Sequence, residues 1–229
     1  MKVTSQKGGR MKGVIKKCRG FLLVMLCVIL ITPCMNVNAA TQRQQAMSAY
    51  KKILSASKVY VIPNNAKYYD DYNYRSLVYH GSLNKNVYFG LAYIDGDGIP
   101  ELVLRAKCNG VLLYSVWTYK NGKAYRIGYG NGGNEFKGYF QKTGIYLERA
   151  YSDGTPYTDS YFKLSGTKAT VAIRKFAYGY GSGADYWIGS RDCTAKAFAA
   201  KRKQLTKGLA MKKVSYVRNS ASSRKGKLK

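Results

Sequence analysis

The feature that most narrows the fold is the punctuation of the chain after residue 86. Short stretches of alternating apolar and polar residues are each ended by a turn dipeptide containing glycine. Glu101–Lys107 puts Leu102 and Leu104 on one side and Val103 and Arg105 on the other, the period of a two-faced strand. Lys120-Asn121-Gly122-Lys123 stands between Val111–Tyr119 and Ala124–Gly130, and Asn-Gly supplies the positive φ angles of a two-residue hairpin. Phe136–Gln141, Ile145–Tyr151, Tyr157–Leu164 and Thr170–Phe176 continue the pattern, with turns at Asp153-Gly154 and Ser165-Gly166. Lys58–Ile62, Ser76–His80 and Asn86–Ile94 are strand-like as well, the last two joined by a turn over Gly81–Lys85. Gly128–Gly133 and Gly179–Gly183 read as flexible loops with exposed rings.

Two amphipathic stretches flank the strands. Met47, Tyr50, Ile53 and Leu54 form one apolar stripe on a helix over Thr41–Ser57. A second helix starts at Asp192 or Thr194, gathers Ala195, Phe198, Leu205 and Leu209 on one face, and closes near Gly208. Val214–Val217 reads as a last short strand. The expected fold is α+β: an N-terminal helix, an antiparallel β-meander and a C-terminal basic helix, in a single domain over 40–218. Residues 219–229 have the composition of a basic disordered tail.

The first 39 residues read as an address. Seven bases and no acid in residues 2–19 precede an unbroken apolar run from Phe21 to Ile31. That run is shorter than the ~20 residues of a membrane span. With small residues at Val37 and Ala39, it has the layout of a secretory signal cleaved after Ala39. The competing reading, an uncleaved anchor extended through Thr32–Met35, is opposed by Pro33 and by polar Asn36 and Asn38. Met11 offers an alternative start inside the basic stretch. The expected location is extracellular, in association with the cell wall.

Charge sharpens the expectation. The chain carries 39 Lys and Arg against 11 Asp and Glu, a net +28. From Lys196 onward there are 12 bases and no acid. Lys196, Lys201, Arg202, Lys203, Lys207, Lys212 and Lys213 are the candidate polyanion-binding residues, for an anionic wall polymer or a membrane surface. Nucleic acid is the weaker partner for an exported chain. A solvated helix face is the alternative reading of the same residues. The abundance of Tyr, 22 in all, fits either stacking on sugar rings or filling of a half-buried sheet.

One segment carries metal chemistry. In Tyr93-Ile-Asp-Gly-Asp-Gly-Ile-Pro-Glu101, Asp95, Asp97 and Glu101 could enclose a hard cation, with the Ile99 carbonyl as a fourth ligand. A plain Asp-Gly turn is the alternative. The segment Phe89–Val103 resembles the DxDGDGxPEL stretch of small secreted proteins from Gram-positive, clostridia-type bacteria. It is similar also to the calcium loops of dockerin and integrin-type repeats. Thr118–Lys123 matches the YKNGK-like hairpin of those secreted proteins, and Asp185-Tyr-Trp-Ile-Gly189 matches their late segment before a helix. The resemblance covers residues 45–218 and implies an extracellular role with weak Ca²⁺ binding. This chain departs from it at Tyr93, where the related loops begin with Asp.

Loss of the leader would leave two cysteines, Cys108 and Cys193, as a candidate disulfide or as two buried thiols. A Cys–His nucleophile would need one of them beside His80, and a glycosidase would need Glu135 and Glu148 across a cleft. Neither pairing follows from sequence spacing. The expected function is therefore non-enzymatic adhesion to anionic polymers. The alternatives are a calcium-stabilised binding domain and a weak hydrolase of wall polymers or glycans.

Overall fold

The structure is a computed structural model that describes residues 40–63, 82–83, 86–108, 111–151, 156–179 and 183–229. The leader 1–39, the expected strand Ser76–His80 and the Asp153-Gly154 turn lie outside the described residues. Helix α1 covers 40–55, ending close to the expected boundary. Strands β1 (Lys58–Val59) and β2 (Ser82–Leu83) form a small pair, so Ser82 and Leu83 are not in a turn. Then follow β3 (Val87–Ala92), β4 (Glu101–Cys108), β5 (Val111–Lys120), β6 (Lys123–Gly132), β7 (Asn134–Phe140) and β8 (Ile145–Tyr151). Next come β9 (Tyr157–Ser165), β10 (Lys168–Ala177), β11 (Ala184–Ile188), β12 (Arg191–Asp192) and helix α2 (Ala195–Thr206). The chain closes with β13 (Val217–Arg218) and helix α3 (Ala221–Lys227).

The fold is α+β and rich in strand. The hairpins divide between two antiparallel sheets, with strand orders β13-β3-β4-β5-β6 and β12-β11-β10-β9-β8-β7. The Asn-Gly hairpin forms as expected, with φ of 49° at Asn121 and 78° at Gly122. The change of sheet falls at Gly133, between β6 and β7. Turn dipeptides carry no mark that separates a hairpin continuing a sheet from a corner that begins the next, and for that reason the sequence reads as one meander.

Alternation along the strands sorts the side chains into three apolar layers. Leu102, Leu104 and Ala106 of β4 share a cluster with Phe89, Leu113 and Tyr119, packed on Ala46, Met47, Tyr50 and Leu54 of α1. Val103, Tyr114 and Val116 face the opposite way and meet Phe136, Tyr146 and Leu164 of the six-stranded sheet. Ile145, Leu147, Tyr161 and Ile173 leave the far face of that sheet to pack on Phe198 and Leu205 of α2. The order is helix, sheet, sheet, helix. Both sheets are therefore covered on both faces, the arrangement that lets each strand bury two sets of side chains.

Rings dominate the layer between the sheets. Phe136 stacks on Tyr146 at 5.6 Å between centroids, and Tyr146 on Phe162 at 5.0 Å with planes 4° apart. Such pairs contribute about 0.5–1.5 kcal/mol each beyond their buried area. Space for them comes from Gly128 and Gly130, which lie inside β6 and not in a flexible loop. A Cβ at 130 would overlap the Tyr114 ring, and one at 128 would overlap the Tyr146 hydroxyl.

The segment after α2 crosses the open side of the two sheets. Tyr139 N–H donates to the Lys212 carbonyl at 2.9 Å and Lys212 N–H returns a bond at 2.8 Å. Val214 and Tyr216 fill the inter-sheet layer, and β13 then pairs with β3. Close passage over Gly90 is possible because a Cβ there would overlap Val214. The expected strand Val214–Val217 is thus mostly an irregular strap.

Two helical expectations need correction. Helix α2 starts at the expected Thr194 cap, whose hydroxyl accepts from Ala197 N–H at 3.2 Å. Its apolar face is narrower than expected, with Phe198 buried and Leu205 half-buried but Ala195 and Leu209 exposed. The helix ends before Leu209, at a left-handed Lys207 followed by Gly208. Residues 221–227 are helical, where composition argues for disorder. Three contacts hold them: Leu228 is buried in the α1 layer, Asn219 Nδ2 donates to the Leu54 carbonyl at 2.9 Å, and Arg224 Nη1 donates to Asn219 Oδ1 at 2.8 Å. A composition rule counts polar residues and misses a single apolar anchor at the far end.

Truncation after Ser220 is accordingly expected to lower the thermal stability, and Leu228→Ala alone to cost about 2 kcal/mol in denaturant unfolding. A disordered tail would leave both curves unchanged.

Candidate functional site

Residues 93–100 connect β3 to β4, and the backbone of the loop is held by its own carboxylates. Asp95 Oδ1 accepts from Asp97 N–H at 3.2 Å, and Asp97 Oδ1 accepts from Ile99 N–H at 2.8 Å. These are two successive Asx turns, the local chemistry that makes Asp a turn residue. Gly98, with φ of 83°, supplies the left-handed step inside the second turn. Tyr50 Oη of α1 donates to the Pro100 carbonyl at 3.1 Å and ties the loop to the helix.

The second oxygen of each Asp goes to a group that the sequence reading passed over. Lys120 Nζ lies 3.2 Å from Asp95 Oδ2 and also pairs with Asp97 Oδ2. Lys120 is the last residue of β5, so the Asn-Gly hairpin positions it, and β4–β5 pairing brings it beside the loop. Spacing along the chain gave no hint of the pairing; the hairpin plus the order β3-β4-β5 could have. Burial alone would raise the Asp97 pKa, but the hydrogen bond from the Lys120 ammonium and its charge carry it below the ordinary value. Burial also opposes the charge on Lys120, and the two carboxylates outweigh it, raising its pKa. Asp95 moves up, through burial and its close contact with Asp97.

Glu101 stands apart from this cluster. As the first residue of β4 it turns into the interior, 1% exposed. Its Oε2 accepts from Ile94 N–H at 2.9 Å and its Oε1 from Thr118 Oγ1 at 3.3 Å. Burial, helped by the negative charge of Asp95, pushes its pKa up to about 8. Of the expected ligand set, Asp95 and Asp97 therefore share one cation, Lys120, while Ile99 is buried and Glu101 serves the interior. Among the described residues, no group of three His, Cys, Asp or Glu side chains stands together as metal ligands. A divalent ion here would have to displace the ammonium and draw Glu101 outward.

The basic candidates lie elsewhere. Lys196, Arg202, Lys203, Lys207, Lys212 and Lys213 are exposed and Lys201 is half-buried. Among the described residues none of the seven forms an ion pair; Lys201 donates to Gln204 Oε1 at 2.9 Å. By helical periodicity Lys196 and Lys203 line the stripe opposite Phe198 and Leu205, and Lys207 follows at the left-handed end of the helix. Among the described residues, no helix is long and apolar enough to cross a membrane.

The remaining candidates separate. Cys193 is a free thiol packed beside the α2 layer, and the Cys108 side chain and His80 lie outside the described residues. Glu135 pairs in register with Arg149, and Glu148 with Phe136, so the two carboxylates occupy opposite faces of β7 and β8. Glu135 pairs with Lys137 at 3.0 Å, whereas Glu148 is buried between the sheets and accepts from Tyr114 Oη and from Asn134 Nδ2. Comparison of the chain with family models, with curated proteins and with solved structures gives no match.

Two outcomes are expected at the loop. Lys120→Met should lower unfolding free energy by about 1 kcal/mol, because a pair about a quarter exposed is screened by water. The variant's melting temperature should also rise more on adding Ca²⁺ than the parent's does. Second, Glu101 holds its proton more tightly folded than unfolded. Its contribution is full below its ordinary pKa of 4.5 and is lost as pH climbs toward about 8. Melts in chelator from pH 5 to 8 should therefore show falling stability, and Glu101→Gln should flatten that fall.

Proposed function

We propose that the protein is an exported binding protein that adheres to anionic polymers of the cell surface through α2 and the strap behind it. The carrying observation is the row of exposed bases on the outer stripe of α2, continued by Lys212 and Lys213, none of them ion-paired among the described residues. The leader-like first 39 residues and the resemblance to small secreted proteins support export. No Asp or Glu follows Asp192 in the sequence, and Asp159, which shares a cavity with Arg202 and Lys203, is itself paired with Arg149. Each lysine close to an anionic surface contributes about 1 kcal/mol, and the attraction fades beyond a Debye length of about 8 Å at physiological salt. The calcium-stabilised reading stands second, since Lys120 already supplies positive charge to the loop.

The test is retention on isolated walls or on vesicles containing anionic lipid. Retention should drop steeply with added salt. Changing Lys196, Lys203 and Lys207 together to Gln should weaken it by about a hundredfold. Retention indifferent to salt and to the triple change would defeat the proposal.

A further inference from the structure

The open edge of the two sheets at β6 holds a cavity of about 380 Å³. This is within the size range of small-molecule sites. We propose that this cavity binds a neutral sugar ring, a single hexopyranose unit. The walls are aromatic. Phe162 lies parallel to Tyr146, and Tyr129, 41% exposed, stands at the rim. The faces of Tyr146 are taken by Phe136 and Phe162, and the exposed Tyr129 ring is the surface offered to the C–H face of a pyranose.

The polar groups of the cavity include two that the protein leaves unsatisfied. Tyr146 is 0% exposed, and its hydroxyl has no hydrogen-bond partner among the described residues. Leaving such a group bare typically costs about 1–3 kcal/mol. Arg126 repeats the pattern: Nη2 donates to the Tyr60 carbonyl at 2.7 Å, while the buried Nε has no partner. Glu148 lines the same cavity and accepts one bond on each oxygen, leaving acceptor capacity on both. The cavity thus presents a donor, an acceptor and a hydroxyl that can do either. A ligand hydroxyl also does either, so a polyol can answer all three. The charged residues oppose each other as well. A cation would meet Arg126 and an anion would meet Glu148, and a neutral ring avoids both. Burial holds the Glu148 pKa above its ordinary value, against the bonds from Tyr114 and Asn134, which adds a donating form. Gly128, having no Cβ, lets the Tyr146 hydroxyl lie against the β6 backbone in the lining of the cavity.

The test titrates the purified protein with glucose, N-acetylglucosamine and their β-1,4-linked dimers, followed by NMR chemical shifts. Saturable binding is expected, with the same affinity at about 0.1 M and about 1 M salt, a range that abolishes long-range attraction. That insensitivity keeps the outcome separate from adhesion through α2. Tyr146→Phe removes only the hydroxyl. It should weaken binding by up to about tenfold and leave the melting temperature of the free protein equal or higher. Glu148→Gln should weaken binding as well. The proposal is overturned if no sugar saturates, if Tyr146→Phe binds as well as the parent, or if it melts lower, since the hydroxyl would then have a structural partner. Saturation by tetramethylammonium in place of the sugars would overturn it too.

Discussion

Two tyrosines reach across the gap between the sheets in opposite directions, and the layered fold closes around them. Tyr114 leaves β5 to bond Glu148 on β8, and Tyr146 leaves β8 to lie over Gly128 on β6. Each ring needs a neighbouring position without a side chain, and Gly128 and Gly130 supply it. Burial pushes both phenols well above the ordinary tyrosine pKa, so both stay neutral and dry. Small apolar side chains could bring two sheets together, but they would carry no polar atom into the interior. With tyrosine the layer is both packed and chemically furnished, and the cavity at its edge inherits that furniture.

The same chain handles its charges in two ways. Around the β3–β4 connection, acids and bases cancel locally: two aspartates share one ammonium, and the buried Glu101 favours its neutral form. Arg149 and Asp159 make a similar local balance, joined through two nitrogens at 2.7 and 2.9 Å. Along α2 and the strap, none of the seven bases forms an ion pair among the described residues. The bases from Lys196 onward are divided chiefly between two places, the α2 side and the α3 segment docked on α1.

Much of the architecture was legible from the residues. Alternation in β4, the Asn121-Gly122 turn and the stripe on α1 all report local backbone preference, and each forms where it is expected. What escaped the sequence are relations between distant residues. Lys120 reaches Asp95 and Asp97 only because two hairpins stack β3, β4 and β5 in that order. The glycines of β6 read as loop because nothing nearby reveals that tyrosines from β5 and β8 need their space. Leu228 looks like the end of a polar tail until Asn219 and Arg224 dock it against Leu54. Spacing groups Asp95, Asp97, Ile99 and Glu101 together, but the structure gives them three different tasks.

That docking ties the beginning of the folded unit to its end. Asn219 and Leu54 are 165 positions apart, yet they share a hydrogen bond within one apolar layer. Closing so long a loop is entropically slow, and contacts of this separation form late in folding. During synthesis β3 to β5 can cover most of the inner surface of α1, while the patch under Leu228 waits until the final segment arrives. A chain with this wiring completes the layer beneath its first helix only once Leu228 is in place.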